Sequence, residues 1–286
     1  MLFSDLHGKI SKEPPQVSLL DHGFLFGDSL YEVVRVYDRK FFGWKEHMER
    51  MVESGKAVGI DVSALLSTLK ARAIELLKNL NEPSAAIRIF VTRGVGKLHI
   101  DPRSCEKPSI YMAAWKFDVQ AQPKHLRLAV TKIRRNSRVA LDPAIKSGNY
   151  LNNILAFKEA VDYGFDDAIL LNVENKITEL TTMNLGWIKD GKVFTSSTDT
   201  GILHGITRKF LVGLTSVSQG AYGVDALQNA DEVFALSTFK EVLPVTAVRF
   251  ENGEIKEYRS HPKTLELGGV FKNFVQKYLE KESSLF

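Results

Sequence analysis

The stretch Ile145-Lys146-Ser147-Gly148-Asn149-Tyr150-Leu151-Asn152-Asn153 decides how the rest of the chain is read. An isolated lysine is ordinarily a solvated surface charge. Here small and polar residues follow it, and then a run with helical spacing, the kind of corner that presents a side chain to a ligand. Desolvation and nearby positive charge favour the neutral amine of a lysine, the form that attacks a carbonyl. Two further stretches offer complementary chemistry. Thr178-Glu179-Leu180-Thr181-Thr182-Met183-Asn184 carries a carboxylate that can hold a ring nitrogen protonated. Gly201-Ile202-Leu203-His204-Gly205-Ile206-Thr207-Arg208 places glycines ahead of a helix start. Unpaired N–H groups and the positive end of the helix dipole bind an anion at such a point.

An amine for an aldehyde, an acid for a pyridine nitrogen and a backbone nest for a phosphate are the three demands of pyridoxal 5'-phosphate. Lys146 is accordingly the expected catalytic residue. Glu179 is the expected ring partner, and Ile206 and Thr207 the phosphate ligands through N–H and hydroxyl groups.

The totals bound this reading. With 286 residues, 44% hydrophobic and 25% charged, the chain is long enough for two domains and a substantial core. A net charge of +4, with basic and acidic residues interleaved, argues against a nucleic-acid partner. The single cysteine, Cys105, excludes a disulfide scaffold and suits a reducing compartment. No run approaches the ~18 apolar residues of a membrane span, so a cytoplasmic protein is expected. Gly94-Val95-Gly96 lacks the third glycine of a dinucleotide fingerprint, and neither a G-x-S-x-G serine elbow nor an H-E-x-x-H metal pair occurs. No metal site is expected.

Along the chain, Glu32–Tyr37 alternates as a strand and turns through Asp38-Arg39-Lys40 into Phe41–Trp44. Helical spacing follows from Lys45. After Gly59 a second helix, with Ser63 as its N-cap, carries Leu65, Leu66, Leu69, Ile74, Leu76 and Leu77. Ala86–Thr92 and Ser109–Trp115 read as strands joined through the loop from Arg93 to His99. Phe117–Pro123 has no period and reads as a linker, which gives a small domain over 1–116, a linker over 117–123 and a larger domain over 124–286. In the larger domain Leu126–Ile133 is a strand. Tyr150–Tyr163 is a helix with Leu151, Ile154, Leu155 and Val161 inward, stopped by Gly164. Asp167–Asn172, Leu185–Ile188, Lys192–Thr195 and Glu232–Ser237 are further strands, with Asp190-Gly191 as a tight turn. Thr207–Val217 and Leu265–Tyr278 are helices.

The run Asp21-His22-Gly23-Phe24-Leu25-Phe26-Gly27-Asp28-Ser29-Leu30-Tyr31-Glu32, then Glu46–Arg50, Lys146–Tyr150 and Glu179–Asn184, resembles the fold-type IV pyridoxal phosphate enzymes over nearly the whole chain. That family includes branched-chain and D-amino-acid aminotransferases and aminodeoxychorismate lyases. The resemblance implies a mixed α and β fold of two domains, a smaller α/β N-terminal one and a larger, β-rich C-terminal one with flanking helices. It further implies that Arg50 contacts the cofactor phosphate, that Tyr150 bonds the phenolic oxygen, and that Leu203 packs on the pyridine face. Ser237 and Thr238 would form a second phosphate turn. A homodimer is implied too, each site completed by loops of the other subunit, and Phe24, Leu25 and Phe26, read as a glycine-flanked apolar loop, suit a partner surface.

The expected reaction moves an amino group between an amino acid and a 2-oxo acid such as 2-oxoglutarate or pyruvate. Tyr31 and Val33 resemble the substrate-lining residues of the D-amino-acid enzymes, and on that resemblance the expectation leans toward D-amino acids. Lys146–Leu151 looks more like the branched-chain pattern. The D-enzymes hold the substrate carboxylate with an arginine and a histidine in the loop after Arg93-Gly94. Here that loop reads Lys97-Leu98-His99, so His99, helped by Lys97 or a displaced arginine such as Arg138, would serve. The alternative is 4-amino-4-deoxychorismate lyase chemistry, releasing pyruvate and 4-aminobenzoate from the same cofactor site.

Overall fold

The computed structural model describes residues 1–286, which fall into two units. The first comprises Met1–Val119, Ile145–Asn149 and Gln276–Phe286, and the second Gln120–Ala144 and Tyr150–Val275. No helix is long and apolar enough to cross a membrane.

The first unit contains β1 (Leu2–Ser4), β2 (Ile10–Ser11), α1 (His22–Phe26), β3 (Ser29–Tyr37), β4 (Lys40–Phe42), α2 (Trp44–Val58), α3 (Leu66–Leu80), β5 (Ala85–Thr92) and β6 (Ser109–Lys116). The strands form an antiparallel sheet in the order β2-β1-β6-β5-β3-β4. β3 turns into β4 through Asp38 and Arg39 at φ 45° and 57°, the left-handed pair that a two-residue hairpin requires. Alternation along β3 sends Leu30, Val34 and Val36 into one core with Met48 and Met51 of α2 and Leu69 and Leu76 of α3. Tyr31 and Val33 therefore point to the opposite face.

Two local expectations change here. Phe24, Leu25 and Phe26 form α1 instead of a loop, because the Asp21 carboxylate accepts the Gly23 N–H at 2.8 Å and Gly27 at φ 69° ends the turn. Ser63 does not cap α3. A 3₁₀ turn over Ser63–Leu65 intervenes, and Asp61 accepts its Ala64 N–H at 3.3 Å.

The second unit contains β7 (Leu126–Arg134), α4 (Leu151–Asp162), β8 (Asp167–Leu171), β9 (Ile177–Leu180), β10 (Asn184–Lys189), β11 (Lys192–Ser196), α5 (Ile206–Leu214), β12 (Val217–Gly220), α6 (Asp225–Gln228), β13 (Glu232–Ser237), β14 (Glu241–Arg249), β15 (Ile255–Glu257) and most of α7 (Pro262–Glu280). The sheet runs β12-β11-β10-β13-β14-β7-β8-β9, with β15 beside β14. β7 pairs in parallel with β14 and β8, and β11 with β12. The edge strand β9 is met by β11 through Ser196, whose Oγ donates to the Ile177 carbonyl at 2.7 Å. Asp190 and Gly191, at φ 49° and 71°, make the tight β10–β11 turn. α5 stops at Leu214, short of the expected Val217, because Val217 pairs with Val193 as the start of β12.

The helix α4 reverses an expectation. Leu151, Ile154, Leu155 and Val161 are exposed by 68%, 58%, 46% and 49%. Asn153, Ala156 and Ala160 are buried instead. The alanines lie against Ala129 of β7 and Ala168 of β8, and small facing side chains let a helix approach a sheet closely. Apolar residues around most of the helix left the sequence with no single inward stripe.

The units also part differently from the expected domains. The break after Val119 lies within the expected linker, yet Ile145–Asn149 and Gln276–Phe286 belong to the first unit. The cause is strand pairing. Ser147 bridges Leu30, the Tyr31 N–H donates to the Lys146 carbonyl at 3.1 Å, and the Gly148 N–H donates to the Ser29 carbonyl at 2.8 Å. Residues 145–148 thus satisfy the free edge of β3.

Candidate active site

Most of the expected site residues fall in two side-chain constellations, one in each unit. In the first, Ile145 packs into the helix-side core, and strand alternation turns Lys146 to the opposite face. There its Nζ donates to the Tyr31 hydroxyl at 3.3 Å and lies 4.3 Å from the centre of the Tyr31 ring. The Lys146 N–H donates to Ser54 Oγ of α2 at 3.1 Å. Backbone bonds on both sides therefore hold the lysine in one place. It does not stand at the helix entrance itself but in an extended segment before it.

Behind this segment Glu32 is wholly buried. Arg50 of α2 donates to both its oxygens, Nε to Oε1 and Nη2 to Oε2, each at 2.7 Å. His47 donates from Nδ1 to Oε2 at 2.7 Å, since a carboxylate can only accept. Burial alone would raise the Glu32 carboxyl, but the charge of Arg50 and the hydrogen bonds from His47 and Arg50 hold it well below the usual carboxylate range. Burial pushes His47 down, aided by Arg50 and Lys146 and opposed by Glu32. The shift favours the neutral imidazole, and the Arg50 guanidinium is the cation that pairs with this carboxylate.

In the second unit Glu179 of β9 is buried and accepts four hydrogen bonds: Arg135 Nε and Nη2 to Oε1 at 3.2 and 3.0 Å, and Asn184 Nδ2 and the Leu203 N–H to Oε2 at 2.9 and 3.1 Å. Asn184 also donates to the Leu203 carbonyl at 3.1 Å. One carboxylate thereby ties β9, the start of β10 and the segment leading into α5. Gly205, the N-cap of α5, must lack a side chain, because a Cβ there would lie 1.8 Å from Asn184 Oδ1. No side chain caps this helix, so the N–H groups of Ile206 and Thr207 are open to an anion. The buried Thr207 has a hydroxyl with no partner in the protein. Ser237 and Thr238 open the β13–β14 turn, where Ser237 Oγ accepts the Lys240 N–H at 3.1 Å. Tyr150 is the N-cap of α4.

Other expected residues lie apart from these groups. Lys97 and His99 are exposed on the loop after β5, beside the exposed Leu98 and Ile100. Arg138 faces Asp142 and Asp199, each at 3.6 Å. Arg88 was missed by the sequence reading. Its guanidinium lies 4.6 Å from the Tyr31 ring and 5.4 Å from the Phe90 ring, with Nε buried and no hydrogen bond or acid partner. The available signal was an arginine inside the otherwise apolar run Ala85–Val91.

Beside Tyr150 a cavity of about 330 Å³ is lined in part by Ile154, Phe157, Asp167, Thr181 and Lys240. Asp167 Oδ1 accepts the Thr181 hydroxyl at 2.6 Å and the Ala168 N–H at 2.7 Å. Burial, only partly offset by those hydrogen bonds and by Lys240, pushes this carboxyl up to about 6. A folded state that holds its proton more tightly than the unfolded chain loses stability as pH rises from about 4 through about 6. Asp167→Asn keeps an Oδ1 acceptor and removes the titration. In urea unfolding it should be more stable than the parent at pH 8 by on the order of 1–3 kcal/mol, with the gap closing near pH 4. Glu32→Ala, which removes the buried carboxylate that Arg50 and His47 both bind, should cost roughly 3–5 kcal/mol by the same measurement at pH 7.

Residues 29–248, from β3 through most of β14, match the family model described as amino-transferase class IV. A putative branched-chain-amino-acid aminotransferase of Methanocaldococcus jannaschii is 36% identical over 246 residues, 84% of this chain and 85% of that one. A D-alanine aminotransferase of Staphylococcus epidermidis is 32% identical over 275 residues, 94% of this chain and 96% of that one. Among solved structures, the branched-chain amino acid aminotransferase of Escherichia coli superposes with a TM-score of 0.87 at 26% identity, covering 99% of this chain and 98% of that one. A second branched-chain amino acid aminotransferase, from T.th. and complexed with N-(5'-phosphopyridoxyl)-L-glutamate, gives 0.85 at 27% identity, covering 100% and 98%. Since the matched span includes both constellations, and relatives of both substrate types align over most of their length, the chain belongs to the class IV aminotransferases, enzymes that work with pyridoxal 5'-phosphate.

Proposed function

We propose that Lys146 binds the cofactor aldehyde and carries the proton in amino-group transfer between an amino acid and a 2-oxo acid. The observation that supports this most is the pinned Lys146 amine on the Tyr31 hydroxyl and ring. The donor set suits the cofactor: an uncapped helix start, an unpartnered Thr207 hydroxyl and a buried carboxylate. Bound pyridoxal phosphate supplies a carbonyl that takes up amino groups and a ring that accepts electron density.

The roles of the side chains follow from their chemistry. With the cofactor bound, Nζ of Lys146 would take the proton from the substrate Cα and deliver it to the former aldehyde carbon of the cofactor, across the substrate nitrogen, as a flexible amine can. Glu179 faces the ring N–H, and Leu203 covers the ring face. Ile206, Thr207, Ser237 and Thr238 bind phosphate oxygens, and Arg50, aimed by Glu32, contributes a guanidinium. Tyr150 donates to the phenolic oxygen.

For the substrate, Tyr31 and Val33 share the β3 face that carries the Lys146 amine, which supports the lean toward D-amino acids. Arg88 takes a substrate carboxylate, being an unpaired guanidinium on the Tyr31 ring. The Lys146–Leu151 segment supports branched-chain L-amino acids as the second reading. Nothing favours the lyase. The exposed side chains of Leu151, Leu155 and Val161 on α4, and those of Phe24, Leu98 and Ile100, support a homodimer. Lys97 and His99 would act from a loop of the second subunit. A cytoplasmic place suits the lone free cysteine.

Borohydride reduction of the cofactor-loaded protein should leave the cofactor mass on the peptide holding Lys146, and Lys146→Ala should lose turnover by at least ~10³-fold. An unlabelled Lys146 peptide refutes the assignment. Single D- and L-amino acids added to the yellow protein show by the change of its absorbance which enantiomer it accepts. For the dimer, light scattering should give twice the chain mass, and Leu155→Glu should halve it. A fully active parent monomer defeats that assembly.

A further inference from the structure

Glu179 is aimed by residues outside the set that touches cofactor. Arg135 follows β7 directly, and its backbone N–H donates to the Leu171 carbonyl at 2.8 Å. Its guanidinium reaches Glu179 Oε1 with Nε and Nη2, and its third nitrogen, Nη1, donates to Asn153 Oδ1 at 3.1 Å. Asn153 then donates from Nδ2 to the carbonyl of Thr181, two residues beyond Glu179, at 2.6 Å. One amide on α4 therefore grips both the arginine and the backbone that follows the glutamate.

This chain has a poor explanation as a stabilising device. Burying a guanidinium and a carboxylate together costs desolvation that the pair only about repays, and apolar side chains of similar volume often do as well. Asn153 occupies the core side of α4, where its neighbours along that side are Ala156 and Ala160. The adjacent Arg134 behaves as an ordinary surface residue, pairing with Glu251 at 2.6 Å and with Asn175. What the arrangement does supply is orientation. A fork of two N–H groups on Oε1 fixes the carboxylate plane, while Asn184 and the Leu203 N–H hold Oε2. A charged hydrogen bond weakens steeply with misalignment, so a ring N–H meeting this carboxylate needs it fixed beforehand.

We propose that Arg135, held by Asn153, is a positioning residue for amino-group transfer, acting through Glu179 to present its carboxylate in one orientation to the ring nitrogen. The inference rests on the cofactor reading above. Neither residue touches the reacting atoms, so their loss should appear in turnover and not in substrate binding.

Arg135→Gln, Arg135→Lys, Asn153→Ala, Glu179→Gln and the double variant Arg135→Gln/Glu179→Gln are compared for borohydride labelling at Lys146, absorbance of the bound cofactor, kcat and KM. Arg135→Gln should still label Lys146, with a shifted absorbance band, kcat reduced ~10–100-fold and KM within about threefold of the parent. Arg135→Lys should recover part of that loss, and Asn153→Ala should lose about 3–10-fold in kcat in the same direction. The double variant should be no slower than Glu179→Gln alone, because one residue works through the other. An Arg135→Gln kcat within about twofold of the parent, or losses that multiply in the double variant, overturns the inference. Should Arg135→Gln fail to fold, Asn153→Ala decides, since it keeps both charges, and an unchanged kcat there overturns it equally. A parent protein that labels elsewhere than Lys146 refutes the cofactor reading instead.

Discussion

A carboxylate removed from water must be given its hydrogen bonds by the protein, and Glu179 shows what that demand builds. Its four donors come from the residue after β7, from β10 and from the segment before α5. None of these can move without stranding a buried charge, which is far costlier than losing an apolar contact. The close approach of Asn184 to Gly205 follows from the same demand, and it places the uncapped start of α5 next to the acid. The placing of this acid and of the uncapped helix start in the second unit thus depends on one side chain's hydrogen bonds.

The first unit applies the same principle to a different end. Glu32 is satisfied by Arg50 and His47, both on the inner face of α2, so the acid orients a guanidinium where Glu179 is itself the group being oriented. Lys146 takes its place through strand pairing. The free edge of β3 between Ser29 and Tyr31 needs partners for its backbone groups, and residues 145–148 provide them. Alternation along that added segment then turns the lysine toward Tyr31, whose ring Arg88 also meets.

The residues most readable from sequence were those whose type is dictated by chemistry within a short run. The Lys146 segment, Glu179 with Asn184, and the glycines before Ile206 stood out as candidates because an amine, an acid and an anion nest each need specific atoms at short spacing. The turn at Asp190-Gly191 was legible because few residues accept positive φ as these do, and that at Asp38-Arg39 because a charged break parts two strand patterns. α4 was not, since apolar residues at Leu151, Ile154, Leu155, Phe157 and Val161 cover so much of the helix that periodicity names no inner side. Arg135 and Asn153 carry no local signature at all, and Arg88 only the oddity of an arginine in an apolar run. An arginine after a strand and an asparagine in a helix have meaning only when their partners, 18 and 44 residues away for Arg135, are known.

By itself, then, the sequence determined the chemistry of this protein and most of its elements, because amine, carboxylate and backbone nest are properties of residue types and of spacing along the chain. Tertiary structure alone decided which face of α4 is inward, that the lysine segment joins the first unit, and which side chains hold the buried Glu32 and Glu179. Those outcomes depend on burial and hydrogen-bond pairing between distant residues, and the free energy of such pairing is a property of the folded arrangement and of no single segment.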